Sequence, residues 1–268
     1  PSLWWPISSW PAPPACAPLG RRGERGAQMS LAADVVEWFT TAEHWRGDFG
    51  VPHRLAEHAA MSGAAVVAAM LIGLPLGIWL GHRGRGGAVA INLANVGRAI
   101  PSLAILALTQ QAIGLSGWPG FGARPAFVAL VALAVPPLVT NAYVGMRGVE
   151  PDVVEAARGM GMTGRELLWR VELPIALPVV MAGLRTAAVQ VVATASLAAV
   201  TAWGGLGRFV VDGFGQRDDP QIVAGAILVA LMALVTELAL GSVQLAVVSQ
   251  GLRRGQDRVE QAPAVVTA

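Results

Sequence analysis

Apolar residues along this chain gather into long blocks and do not alternate with polar ones as in a half-buried sheet. A helix needs about 20 mostly apolar residues to cross the hydrocarbon core of a bilayer. Five segments meet or approach that length: 59–81, 88–115, 125–146, 176–202 and 222–248. The second is the most polar, and Pro101 near its middle predicts a kink or a split. The pattern predicts an all-α, polytopic membrane protein with its transmembrane domain over residues 59–250.

The flanks read differently. Residues 29–58 carry Trp38, Phe39 and Trp45 among charges, which predicts a short amphipathic helix and loop at the outer membrane–water interface. Residues 1–28 are rich in Pro, Trp, Gly and Arg and show no helical period. They read as a disordered or upstream extension before Met29. The alternative is a targeting signal, but Pro11, Pro13, Pro14 and Pro18 interrupt the apolar run a secretory signal requires. Residues 251–268 form a polar tail.

Composition supports the membrane reading and narrows the chemistry. The chain is 54% hydrophobic and 13% charged, against about 25% charged in soluble domains. Mean hydropathy is +0.55. The net charge is +2, and every basic residue is Arg, scattered without an aromatic-interleaved stripe; this argues against a nucleic-acid partner. Cys16 stands alone, so neither an internal disulfide nor a cysteine-based metal site can form. The phosphate-binding pattern GxxxxGK[ST] does not occur, and no serine has the local context of a nucleophile elbow. These features predict a non-enzyme without a cofactor of its own. His44, His53, His58 and Asp48 lack metal-ligand spacing and read as solvated surface.

Arginines in the connections predict orientation, because cytoplasmic loops carry an excess of them. One set of connections holds nine: Arg83, Arg85, Arg147, Arg158, Arg165, Arg170, Arg253, Arg254 and Arg258. The other holds three between spans, Arg124, Arg208 and Arg217, or five with Arg46 and Arg54. The expectation is an outside N-terminus, a cytoplasmic C-terminus and a cytoplasmic connection between the third and fourth spans.

That connection, 151–174, reads PDVVEAARGMGMTGRELLWRVELP. Pro151 suits a first helical turn, with Asp152 and Glu155 near its positive end. Gly159 and Gly161 break this helix. Thr163 and Glu166 have capping-box spacing, so a second short helix starts there. Leu167, Leu168 and Val171 give it an apolar stripe, and Pro174 is expected to end it. By pattern alone this could be an ordinary amphipathic connection.

Glu155-Ala156-Ala157, three residues, Gly161, nine residues, then Val171-Glu172-Leu173-Pro174 resembles the EAA loop of binding-protein-dependent ABC importer permeases, EAA-x3-G-x9-I-x-L-P, with Val171 in place of Ile. The resemblance implies that Glu155, Ala156, Ala157, Gly161, Val171, Leu173 and Pro174 belong to a coupling element docking on an ATPase subunit. Small residues there would permit close backbone approach to that partner. The stretches 100–104 (IPSLA), 182–190 (AGLRTAAVQ) and 204–207 (GGLG) are similar to the osmoprotectant branch, whose permeases carry glycine betaine, carnitine and choline. The implied partners are a dimer of ATP-binding subunits, which holds the ATP and Mg, a second permease copy or paralogue, a separate extracytoplasmic substrate-binding protein, and membrane lipid. The implied location is the bacterial inner or plasma membrane.

Ionisable groups inside spans are costly and mark functional candidates. Arg98, Arg185 and Glu237 are these. Arg185 and Glu237 have comparable depths and are expected to pair, either holding two helices together or lining a path. Asn92, Asn95, Gln110, Gln111, Asn141 and Gln190 lie on otherwise apolar helices, where such groups commonly hydrogen-bond across helices. Asn95, Thr109 and Gln190 are the candidates for a translocation path. Gly73 and Gly77 allow close helix packing. Two rivals stay open: another importer branch, such as amino-acid transport, and a membrane scaffold or sensor without transport.

Overall fold

The computed structural model describes residues 21–84, 87, 92, 100–117, 120 and 122–248. The described residues form helices: α1 (Arg21–Thr40), α2 (Val51–Arg83), α3 (Ser102–Leu115), α4 (Ala123–Arg147), α5 (Pro151–Gly159), α6 (Gly164–Leu167), α7 (Leu173–Thr194), α8 (Gly207–Gln216) and α9 (Asp219–Val247). Short 3-10 helices occupy Ala42–Trp45 and Ala195–Thr201, and a π-helical turn occupies Leu168–Glu172. Four stretches are long and apolar enough to cross a membrane: α2, α4, the continuous run Gly164–Thr201, and α9.

Several boundaries differ from expectation. The external segment predicted over 29–58 ends early, because α2 already begins at Val51 with Pro52 in its first turn. Pro there costs no hydrogen bond and presets the helical φ. At 33 residues, α2 is about 50 Å long, so its ends project beyond the hydrocarbon. Pro101 is extended (φ −57°, ψ 136°) and α3 starts immediately after it. The described part of the second span is therefore 14 residues, too short to cross alone. The fourth span changes from α to 3-10 geometry after Thr194. Helix α8 was not anticipated. The Arg208–Asp212 pair at i,i+4, with a 2.6 Å contact, supports it, and Arg217 closes it at φ 58°.

The core is a three-helix seam of small side chains. Met61, Ala65 and Ala69 of α2 meet Leu130, Ala134 and Leu138 of α4, and Ala187 and Val191 of α7. Lipid tails are as apolar as Leu, so membrane helices associate through close packing. Gly73 and Gly77 provide it: a methyl group added at Gly77 would lie 2.7 Å from Ala142 Cβ and 2.6 Å from the Val139 carbonyl. Gly81 meets Met146 one turn further on. Across the other face of α4, Gly145 packs on Ala176 and Gly183 on Asn141. Helices α2, α4 and α7 are thereby locked along their length. Helix α9 is the outlier, with Leu231, Leu234, Val235, Leu238 and Leu245 exposed.

Candidate functional site

The 151–174 segment lies at the end of the bundle where α2 finishes and α7 begins. Its first helix, α5, ends in a Schellman motif: Gly161 N–H donates to the Arg158 carbonyl (2.9 Å) and Met162 N–H to the Ala157 carbonyl (3.2 Å). Gly161 sits at φ +84° with open space where a side chain would project. Its glycine is required for backbone conformation, and among the described residues nothing makes the close approach expected of it. Of the alanines, Ala156 is exposed with Glu155, whereas Ala157 is buried and packs inward.

Both bonds of the capping box are present at the start of α6. Thr163 Oγ1 accepts the Glu166 N–H (3.4 Å), and the Glu166 carboxylate accepts the Thr163 N–H (3.0 Å) and hydroxyl (2.9 Å). The backbone N–H of Thr163, followed by its hydroxyl, holds the Glu166 carboxyl below the usual carboxylate range.

Pro174 does not end this helix, contrary to the sequence expectation. The chain passes through the π turn at 168–172 and continues as α7, with Leu173 N–H bonded to the Leu168 carbonyl. In a strictly α-helical register the Arg170 carbonyl would face position 174, where proline has no N–H. The π register sets the Trp169 carbonyl opposite position 174 instead, so the missing N–H persists, while the wider turn gives the proline ring more room beside the preceding turn. Val171 and Leu173 are half-buried and Pro174 exposed. The second half of the segment is thus a direct extension of a membrane span. Glu172, at a variable position of the motif, is buried, and its carboxylate accepts a 2.5 Å hydrogen bond from His82 Nδ1 in the last turn of α2.

Within the spans, the Arg185 guanidinium meets the Glu237 carboxylate and also donates to Gln244 Oε1 at 2.8 Å. The pair opens onto a cleft of about 490 Å³ lined by Ala182, Thr186, Val189 and Gln190. Thr109 is elsewhere: its hydroxyl hydrogen-bonds the Leu106 carbonyl of its own helix and the Pro125 carbonyl of α4. Thr109 and Gln190 therefore do not share one surface. Asn95 and Arg98 lie outside the described residues, as do 1–20 and the tail 251–268. Asn141 bonds the Pro137 carbonyl in its own helix (2.8 Å), where a cross-helix bond was expected, because Gly183 of α7 brings backbone, not a polar partner, against it.

At the opposite end, His58 is 1% exposed, which corrects its reading as solvated surface. Its Nδ1 accepts the Leu206 N–H (3.3 Å), so Nε2 carries the proton and donates to the Val192 carbonyl (2.9 Å). Glu57 beside it accepts the Gly205 N–H (2.8 Å) and a bond from Arg54 (2.8 Å). These two side chains clamp the Gly-rich turn 204–207 onto α2. Glu57, His58, His82 and Glu172 all escaped sequence reasoning, since each gains its partner from a distant part of the chain.

The sequence profile of the "Binding-protein-dependent transport system inner membrane component" family matches residues 73–253. The chain belongs to this family. It is thus the multi-pass inner-membrane permease component of an ABC importer, which works with a separate ATPase subunit and with a binding protein. Relatives agree. The chain is 34% identical over 201 residues to the glycine betaine/carnitine/choline transport system permease protein OpuCB of Bacillus subtilis, covering 75% of this chain and 90% of that one. It is 36% identical to the carnitine transport permease protein OpuCB of Listeria monocytogenes (75% and 89%), and 33% identical to the osmoprotectant import permease protein OsmW of Salmonella typhimurium (74% and 91%). Among solved structures, the inward-facing MetNI methionine ABC transporter superposes with a TM-score of 0.63 at 22% identity, covering 72% of this chain and 94% of that one. An amino acid ABC transporter gives 0.57 at 21% identity, covering 82% and 97%. These two likenesses establish the permease fold of the inner-membrane component.

Proposed function

We propose that this permease carries glycine betaine or a related quaternary ammonium osmoprotectant across the membrane by alternating access. The observation that carries the substrate class is the set of osmoprotectant permeases resembling this chain at 33–36% identity over about three quarters of its length. Two permease subunits, identical or paralogous, enclose the path. A binding protein delivers solute to the outer face, and a dimer of ATP-binding subunits, holding ATP and Mg, drives the cycle from the cytoplasm. The N-terminus lies outside and the C-terminus inside, a reading supported by the arginine bias between the two sets of connections.

In this reading the ATPase docks against the exposed Glu155–Ala156 face and the Gly161 turn, while Val171, Leu173 and Pro174 carry the movement into α7. Gln190 and Thr186, beside Arg185 in the α7–α9 cleft, face the path; Asn95 and Thr109 are further candidates. The α7–α9 face cannot rest against hydrocarbon, because charges facing lipid cost several kcal/mol.

The test is uptake of labelled glycine betaine by cells lacking other osmoprotectant importers and expressing this chain with its ATPase and binding protein. Uptake that requires all three supports the proposal. A complex that assembles and hydrolyses ATP but takes up amino acids instead assigns the chain to a different importer branch. ATPase binding with no solute uptake or substrate-stimulated hydrolysis would favour a non-transporting scaffold or sensor.

A further inference from the structure

We propose that the Glu172–His82 hydrogen bond is a strut that makes the first span move with the coupling segment. The inference rests on the coupling role of 151–174 proposed above and adds a further output to it. The segment has two covalent continuations, back through 148–150 into α4 and onward through the π turn into α7, and none into α2. The bond from His82 Nδ1 to the buried Glu172 carboxylate adds a third connection, to a helix 90 residues away in sequence. The same imidazole also borders Gly164 at the start of α6: a methyl group there would lie 3.9 Å from His82 Nε2. His82 thus bonds one end of the 164–172 turn and lies close to the other.

Three features make this bond a transmitter. Glu172 sits in the π turn, a helical irregularity frequently associated with functional sites. A buried carboxylate is costly unless hydrogen-bonded, so the turn gains by keeping His82 in place as it moves. The receiving helix is stiff: Gly73, Gly77 and Gly81 seat α2 directly on Leu138, Val139, Ala142 and Met146 of α4. A push on the turn therefore reaches α7 and α4 through the chain and α2 directly through His82. Without the strut, α2 would receive the displacement only through its packing on α4 and α7, and part of the ATP-driven movement would be lost.

The experiment uses the complete complex in liposomes and measures solute transported per ATP hydrolysed. Glu172→Met and His82→Phe, which keep the bulk and remove the hydrogen bond, are examined singly, alongside the exchanged pair His82→Glu/Glu172→His. The expected result is an assembled complex that still hydrolyses ATP, with transport per ATP reduced about five-fold or more, the lower range of typical coupling free energies. The exchanged pair should recover most of the loss in transport per ATP, which places the defect in the contact itself. Unchanged transport per ATP in both single variants overturns the strut. So does a parallel fall in hydrolysis and transport that leaves their ratio intact. Gly161→Val in the same assay separates the two levels: if it leaves coupling normal, the coupling assignment of 151–174 fails. If it abolishes coupling while both single variants do not, only the strut fails.

Discussion

Arg185 on α7 and Glu237 on α9 form an ion pair within the membrane spans, with Gln244 holding the guanidinium from two turns further along α9. About a third of each side chain remains exposed (33% and 37%). The pair fastens the least embedded helix, α9, to the bundle. Removing one partner of a fully buried pair costs about 3–5 kcal/mol; Glu237→Ala should cost less than that, because water can reach the remaining arginine through the cleft. Thermal unfolding in detergent should show a lower midpoint for Glu237→Ala and partial recovery in Arg185→Glu/Glu237→Arg. Equal midpoints for the wild type and Glu237→Ala would remove the pair from the stability account.

Gly161 should tolerate Asn and reject Val. Its φ of +84° lies where L-residues pay roughly 1–2 kcal/mol, least for Asn and Asp and most for β-branched side chains. Space around it is open, so strain and not collision decides the outcome. ATP-driven uptake should survive in Gly161→Asn and be lost in Gly161→Val, with membrane insertion intact in both.

His58 should be replaceable by neither Ala nor Phe. Either leaves the Leu206 N–H and the Val192 carbonyl without their partner; an unsatisfied buried polar group costs about 1–3 kcal/mol. Proteolysis at the 204–207 turn should accelerate in both variants, since the Glu57 bond to Gly205 would then hold the turn alone.

The capping box at Thr163 and Glu166 predicts how the coupling segment responds to acid. The folded-state carboxyl titrates below its usual value of about 4.3 because the ionised form accepts the Thr163 N–H. Its stabilising contribution is therefore complete above that value and lost as pH falls through the lower, folded-state one. Transport should show no acid limb from this group between about pH 6 and 8, and Glu166→Gln should leave the pH profile in that window unchanged. A shift of the profile in Glu166→Gln would contradict the assignment.

Much of this architecture was legible in the order of residues. The long apolar blocks of α2, α4, α7 and α9 need only length and hydropathy to be found. The capping box and the Gly161 turn follow from local chemistry that two or three neighbours complete. Boundaries were harder. Pro174 looks like a stop, yet the π turn carries the helix past it, an outcome that depends on hydrogen-bond register and not on composition. The start of α2 at Val51 was hidden because its first turn is as polar as the loop before it. His58, His82 and Glu172 could not be assigned, because their partners Leu206, Glu172 and His82 lie 90 or more residues away and only packing brings them together. Conversely, Arg185 and Glu237 were conspicuous as isolated charges in apolar runs, where few partners exist.

The most direct test of the account is accumulation of labelled glycine betaine in liposomes containing this permease with its ATPase, with binding protein on the side facing the N-terminus and ATP on the other. The account predicts ATP-dependent uptake, competed by carnitine or choline and abolished by Gly161→Val. A complex that hydrolyses ATP under these conditions yet accumulates none of these quaternary ammonium solutes would contradict it.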